Sequence, residues 1–206
     1  MGDDEIFRTR AAELVAVGRF CFSRGWLPAT SGNLSARLDG RRIAMTVSGR
    51  HKGELDESGI MVLDLDGGTL TDGCRPSAES LLHLMLYRRD PAIGAVLHTH
   101  SVPATVLSRL AGDALVLSDY ELLKALPGIE THEAILRLPV LDNDQDIPRL
   151  AQRVEQALEH GPVLPAYLIA GHGLYTWGSS VADARRQTEA FEFLLECETL
   201  TRRMTR

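Results

Sequence analysis

Hydrophobic positions along this chain of 206 residues follow two periods, and together the periods predict an alternation of helices and strands. In the first segment, Leu14, Val17 and Cys21 recur at helical spacing, and Gly25 and Pro28 end the pattern. Helices are predicted over residues 6–24, 77–87, 102–110, 120–126, 146–159 and 181–203.

Runs of branched apolar residues between these helices predict strands. The predicted strands cover residues 34–38, 43–47, 60–65, 95–97, 135–140, 166–170 and 174–177, and a further short apolar run covers 115–117. Asp39-Gly40, which joins the first two strands, is a dipeptide favoured in tight hairpins, so we expect that pair to be antiparallel. Because hairpins and helices alternate irregularly, the pattern indicates an α/β layered domain with a mixed, largely antiparallel sheet.

Length, charge and cysteine content narrow the class of protein. The chain is long enough for one good core, and we expect a single domain over residues 1–206. Its net charge of -6, with 22 scattered basic residues, argues against a nucleic-acid partner. The acidic residues 1–5 do not resemble a signal peptide, and no apolar run approaches the roughly 18 residues of a membrane span. The three cysteines lie far apart along the chain, which suits a reducing compartment. We therefore expect a soluble cytoplasmic protein with no membrane partner.

Three histidines form the most informative pattern in the chain. His98 and His100 follow a predicted strand, and side chains two residues apart on a strand point the same way, so both can face one ion. His172 lies between Gly171 and Gly173, which let the backbone approach closely. Three neutral imidazoles leave the fourth position on zinc open, which is the pattern of a catalytic site.

Two glutamates are candidates for the base that proton chemistry beside such a metal requires. Glu79 lies in the first turn of a predicted helix, where a carboxylate also suits the helix dipole. Glu121 lies in a charged segment, where it also suits a solvated face or a pair with a nearby lysine. Spacing alone leaves the choice between these two glutamates open.

Several short segments place small polar residues beside glycine. Such segments can hold a phosphate with backbone N–H groups and hydroxyls, although each alone also fits an ordinary turn. Lys52 would add one positive charge. The candidate phosphate-binding residues are Thr30, Ser31, Gly32, Asn33, Ser48, Gly49, Lys52 and Ser77.

These motifs, in this order, resemble the class II (zinc-dependent) aldolase and adducin superfamily over nearly the whole chain. The segments that carry the resemblance are Thr30-Ser31-Gly32-Asn33-Leu34-Ser35, Ser48-Gly49, Pro76-Ser77-Ala78-Glu79, His98-Thr99-His100 and Gly171-His172-Gly173. The resemblance implies a three-layer α/β/α fold around a central, mainly antiparallel sheet. It also implies one zinc ion per subunit on His98, His100 and His172, and a homotetramer with active sites near subunit interfaces.

Three further segments resemble one branch of that superfamily, the bacterial dehydratases of methionine salvage. They are Tyr120-Glu121-Leu122-Leu123-Lys124-Ala125-Leu126, Thr131-His132-Glu133 and Asp142-Asn143-Asp144-Gln145-Asp146. This resemblance implies dehydration of a phosphorylated ketose, 5-methylthio-D-ribulose 1-phosphate, to 5-methylthio-2,3-dioxopentyl phosphate. In the aldolases the glutamate matching Glu79 is the acid/base, and in the dehydratases the one matching Glu121 is the better candidate.

Two alternatives stay open beside the dehydratase. A sugar-phosphate aldolase or epimerase, such as the fuculose-phosphate type, would use similar metal chemistry on the same scaffold. A non-catalytic interaction domain like the adducin head is the weaker alternative, because a pure scaffold has no reason to retain three metal histidines and a phosphate cradle. The glutamates, rather than the histidines, are expected to decide which bond breaks.

Overall fold

A computed structural model describes residues 2–160 and 164–205. In this part of the chain the strands are β1 (Asn33–Arg37), β2 (Arg42–Thr46), β3 (Ile60–Asp64), β4 (Ala95–Thr99), β5 (Ala114–Leu117), β6 (Leu136–Leu141), β7 (Ala166–Ile169) and β8 (Gly173–Gly178). The α-helices are α1 (Asp3–Ser23), α2 (Ser80–Arg89), α3 (Val102–Leu110), α4 (Ile147–His160) and α5 (Val181–Met204). Short 3-10 helices cover Lys52–Glu54, Glu57–Gly59 and Glu121–Ala125.

The strands form one 8-stranded sheet in the order β3-β2-β1-β4-β8-β7-β6-β5. The pairs are antiparallel except β6 with β7, so the mixed, mainly antiparallel sheet is confirmed. The hairpin expected at residues 39–40 joins β1 and β2, and the carboxylate of Asp39 accepts hydrogen bonds from the backbone N–H groups of Arg41 and Arg42.

Side chains that alternate along the strands give the fold three layers. On one face, Val96 and Tyr175 pack in a core with residues of α2 and α4. On the other face, Leu97 packs in a core with α1, and Leu174 packs in a core with α3 and α5. The three-layer α/β/α fold is therefore confirmed, and the central strand β4 is covered by helices on both sides.

Capping residues set the starts of two helices that matter for the site. The Ser101 hydroxyl accepts a hydrogen bond from the backbone N–H of Ala104 and caps α3, and Ser180 does the same for α5 through Asp183. Within the described residues, none of the helices combines the length and the apolar character needed to cross a membrane.

Several predicted helices differ from the structure at their ends, and the helix predicted from residue 6 begins at Asp3. The helix predicted from residue 77 begins at Ser80, because the Ser77 hydroxyl accepts a hydrogen bond from the backbone N–H of Glu79 and holds a turn there. The segment 120–126 forms a 3-10 helix that stops before Leu126, which is extended ahead of Pro127. The short apolar run at 115–117 forms most of β5.

Candidate metal centre

Strand pairing brings the three histidines together at the ends of the central strands. His98 lies at the end of β4 and pairs with Asn33 of β1 and Tyr175 of β8, while His100 follows one residue beyond the strand. His172 lies in the tight connection between β7 and β8. The backbones meet so closely there that a Cβ on Gly173 would lie 2.0 Å from a backbone oxygen of β4.

The metal-facing atoms of four side chains converge. His98 Nε2 lies 2.8 Å from His100 Nε2 and 3.3 Å from His172 Nε2. The Glu79 carboxylate lies 3.0 Å from His172 Nε2 and 3.6 Å from His98 Nε2. All four ligand atoms lie within 4.8 Å of one another. The structure thus adds Glu79 to the three predicted histidines.

The donor set fits a divalent cation. His98 donates its Nδ1–H to the carbonyl oxygen of Leu174 at 3.0 Å, so its Nε2 lone pair faces the cluster. Lone pairs and a carboxylate in such close contact repel one another unless a cation lies among them. Ligands of a tetrahedral ion at about 2.0–2.1 Å lie roughly 3.3 Å apart, and the nitrogens of His98 and His172 have that spacing.

Burial keeps the imidazoles of His98 and His100 in the neutral form that binds metals. Desolvation, reinforced by the other imidazoles, holds the pKa of His98 well below its usual range and lowers the pKa of His100 to about 4. Burial alone would raise the pKa of Glu79, but His98, His172 and a hydrogen bond from Asn33 outweigh it and hold that pKa below its ordinary value. Glu79 therefore lies in the cluster as a carboxylate.

Aromatic and polar groups beneath the cluster fix the orientation of His98. The Tyr175 ring stacks on it with centroids 3.9 Å apart, and Tyr167 stacks on Tyr175 at 4.8 Å. His83 is also buried on this face, and its Nδ1 shares a 2.7 Å hydrogen bond with the Ser35 hydroxyl. Desolvation lowers the pKa of His83 to about 3, so it is neutral.

A cavity of about 370 Å³ opens beside the cluster and contains every predicted phosphate-binding residue in its lining. Lys52 is almost fully buried in its wall and donates to the carbonyl oxygens of Thr30 at 2.8 Å and Arg50 at 3.0 Å. An ammonium group has three N–H donors, so one remains for a bound anion. Burial lowers the pKa of Lys52 to about 8.

The structure does not place Glu121 with the cluster. Its side chain is 73% exposed, pairs with Lys124, and lies 3.9 Å from Nδ1 of His132. It is absent from the lining of the cavity, which holds Glu79 instead. The geometry of one chain therefore assembles the metal ligands and the phosphate-loop residues, and leaves Glu121 on the surface.

The cavity also has a wall that the sequence did not single out as part of the site. Asn143, Asp144 and Gln145, in the loop before α4, line the same cavity as His100 and His172. Asp144 is fixed by two 2.6 Å hydrogen bonds from the Arg149 guanidinium, which hold its pKa down at about 2. Sequence analysis gave residues 142–146 only as a segment that resembles the dehydratases of methionine salvage, and their dense run of acidic and amide residues also suits a plain helix start.

Comparisons with known proteins agree on one family. The model of the class II aldolase and adducin N-terminal domain matches residues 12–199. The chain is 60% identical over 187 residues to a methylthioribulose-1-phosphate dehydratase of Pseudomonas aeruginosa (strain UCBPP-PA14), covering 90% of this chain and 91% of that protein. A protein of the same name from Marinobacter nauticus is 55% identical over 208 aligned positions, covering 100% of each chain.

Solved structures support the same assignment. The L-fuculose-1-phosphate aldolase from Thermus thermophilus superposes with a TM-score of 0.77 at 26% identity, covering 96% of this chain and 97% of that one. Another L-fuculose 1-phosphate aldolase shares the fold, with a TM-score of 0.80 at 24% identity and coverage of 96% and 88%. With a family model over most of its length and relatives at this level of identity, the chain belongs to the class II aldolase and adducin family.

Proposed function

We propose that the protein dehydrates 5-methylthio-D-ribulose 1-phosphate to 5-methylthio-2,3-dioxopentyl phosphate, a step of methionine salvage. The observation that carries the proposal is a partly buried three-histidine cluster beside a cavity lined by the predicted phosphate-binding residues, in a chain 60% identical to a protein named methylthioribulose-1-phosphate dehydratase. The reaction removes a proton from C3 and the hydroxyl from C4, and the resulting enol tautomerises to the diketone.

We propose zinc as the metal, one ion per subunit, on His98, His100 and His172. When bound, zinc supplies Lewis-acid polarisation of the substrate ketone and so acidifies the C3 proton. The imidazoles present three nitrogens to one point, and the hydrogen bond from His98 to Leu174 fixes the direction of one of them.

The phosphate end of the substrate is assigned to the polar side of the cavity. The loop 30–33, the turn at Ser48 and Gly49, and the Ser77 hydroxyl supply neutral donors there, and Lys52 supplies the charge. Lys52 is already held by two carbonyl oxygens, so it needs little reorganisation to meet an anion.

Proton removal at C3 is assigned to Glu121 or Glu79. Glu79 is in place as a carboxylate and accepts a 2.9 Å hydrogen bond from the Asn33 amide. Glu121 lies outside the cavity of its own chain, so in that role it would act in the site of a second copy.

A homotetramer, the assembly that we propose, would bring such a second copy to the site. The outer face of α3 supports association, because Val102, Val106 and Leu110 lie one turn apart and remain exposed. The free cysteines Cys21, Cys74 and Cys197 support our placement of the protein in the cytoplasm. The single continuous sheet supports our proposal of one domain over residues 1–206.

The decisive experiment incubates the zinc-loaded protein with 5-methylthioribulose 1-phosphate and follows two products. Formation of the diketone phosphate, absent after chelator treatment and restored by zinc, is the expected result. An aldolase is the second candidate, favoured by the shared fold with L-fuculose-1-phosphate aldolase. Cleavage of C3–C4 to dihydroxyacetone phosphate, without diketone, would establish that activity and overturn the dehydratase.

A further inference from the structure

Glu192 is a buried carboxylate that the proposed chemistry does not use. It lies on α5, behind the sheet from the imidazoles, and is only 2% exposed. The Thr99 hydroxyl donates to Glu192 Oε1 at 2.6 Å, and the Ser101 side chain lies close enough to this carboxylate to lower its pKa. Glu192 therefore holds the end of β4 from the side opposite the metal centre.

The two residues that Glu192 holds flank a metal ligand. Side chains alternate along β4, so Thr99 points to the α5 face while His98 and His100 point to the cavity. Thr99 precedes His100 and Ser101 follows it. Because both neighbours are tied to one carboxylate, the backbone that carries His100 is fixed on either side.

The same carboxylate is linked to the third histidine through α3. Ser101 caps that helix by accepting from the backbone N–H of Ala104 at 3.1 Å. One turn further, the Thr105 hydroxyl donates to the carbonyl oxygen of His172 at 3.0 Å. The Ser108 hydroxyl accepts from the backbone N–H of Gly171, also at 3.0 Å. α3 thus connects Ser101, which lies beside Glu192, to the two hydrogen bonds that hold the His172 loop.

Stability alone does not explain this carboxylate. Its second oxygen, Oε2, is buried without a partner among the described residues, and such a group destabilises a fold. Desolvation raises the pKa of Glu192 to about 7, which records the same cost of burying its charge. An apolar side chain of similar size would avoid that cost at the same place in α5.

We propose that Glu192 is a positioning residue of the metal centre, acting through Thr99 and Ser101 to set the place of His100 and of the His172 loop. The inference rests on the metal centre of the proposed function and is independent of which substrate bond breaks. Supports of metal ligands commonly change metal affinity by roughly 10- to 100-fold when removed.

Metal binding by the full-length protein is the first test. Glu192→Met, which keeps the volume and removes the acceptor, is expected to weaken zinc binding roughly 10- to 100-fold in competition with a chromophoric chelator. The visible spectrum of the cobalt-substituted protein is expected to shift. Glu192→Gln keeps an oxygen for Thr99 and should stay within about threefold of the wild type. Glu189→Gln, on the exposed side of the same helix, is the matched control and should match the wild type.

A second pair of variants keeps the test decisive if Glu192→Met does not fold. Thr99→Val removes the hydroxyl and keeps the branched shape, so it should weaken zinc binding and shift the cobalt spectrum, whereas Thr99→Ser should restore both. Wild-type zinc affinity and cobalt spectrum in both Thr99→Val and the folded Glu192 variants would overturn the positioning role. Failure of the wild-type protein to bind zinc would instead overturn the proposed function itself.

Discussion

The metal centre and the segment around Glu121 carry the two parts of the proposed chemistry in opposite physical settings. The centre is partly buried, with His98 fully enclosed, and hydrogen bonds, ring stacking and close backbone contacts hold its histidines. Glu121 lies on a short 3-10 helix, exposed, and contacts only its neighbours Lys124 and His132 among the described residues. One folded chain therefore brings its candidate metal ligands together, whereas Glu121 would gain a catalytic setting only against another surface.

Removal of a metal-binding histidine is expected to give the largest effect on activity. His98→Gln is expected to abolish zinc binding and to lower turnover by about 1,000-fold or more, because several kcal/mol of Lewis-acid stabilisation are lost. Zinc per subunit and the initial rate of diketone formation measure the two effects. A variant that turns over normally without zinc would show that the cluster is not the reaction centre.

Glu121→Gln tests the exposed region. Turnover is expected to fall roughly 100-fold while zinc stays bound, because the base is lost and the ligands are untouched. Glu133→Gln, in the next exposed segment, is the matched control and should keep the wild-type rate. Near-normal turnover of Glu121→Gln would move the base to Glu79.

Mixed oligomers extend the Glu121 test to the subunit contact. Subunits carrying Glu121→Gln and subunits carrying His98→Gln are each expected to be inactive alone. If Glu121 acts in a neighbouring site, co-assembled mixtures regain part of the wild-type rate. If a proven mixed oligomer recovers no activity, Glu121 does not act in the site of a neighbouring subunit.

Lys52→Met tests the cavity next to the centre. A charge-assisted hydrogen bond contributes about 1.5–3 kcal/mol, so KM is expected to rise roughly 10- to 100-fold with a smaller change in kcat. Inhibition by inorganic phosphate should weaken in parallel. An unchanged KM would mean that the phosphate is bound elsewhere.

The dependence of the free energy of unfolding on pH tests whether the region beneath the metal centre is buried. His83 has a pKa of about 3 in the folded protein, against an ordinary value of 6.5. Below pH 6.5 the unfolded chain therefore binds a proton that the folded chain does not, and the free energy of unfolding decreases as the pH is lowered. From pH 7 to pH 5 this one group contributes a loss of roughly 1–2 kcal/mol. Urea unfolding of metal-free His83→Gln should show a correspondingly smaller loss, and equal losses in both proteins would contradict a buried neutral His83.

The smallest effect is expected at the surface pair itself. Lys124→Ala removes the partner of Glu121, and exposed pairs of this kind contribute less than about 1 kcal/mol. The midpoint of thermal unfolding should therefore stay close to that of the wild type. A large drop would show that the segment is packed more tightly than its exposure indicates.

Sequence reasoning predicts best where a local pattern has one structural outcome. The apolar periods predicted the helices and strands because each period matches one backbone geometry. His98 and His100 were predicted together because strand alternation decides their direction, and Gly173 because only glycine allows so close a backbone contact.

Features set by distant packing were not predictable in this way. Glu192 occupies a helix position where a glutamate normally indicates a solvated face, and only the packing of α5 on β4 shows that it is buried. Likewise, the loop at 143–145 reaches the cavity because of where β6 lies in the sheet. Glu121 shows the same limit, since its surroundings in the proposed role depend on another subunit.

The distance along the chain between His98 and His172 has a consequence for biosynthesis. These ligands are 74 residues apart, and they meet only when β8 has paired with β4. A nascent chain that ends before His172 lacks one of the histidines, and closing so long a loop is entropically costly without the sheet. The proposed zinc ion would therefore bind after the sheet has formed and would add its binding energy to a scaffold that has already folded.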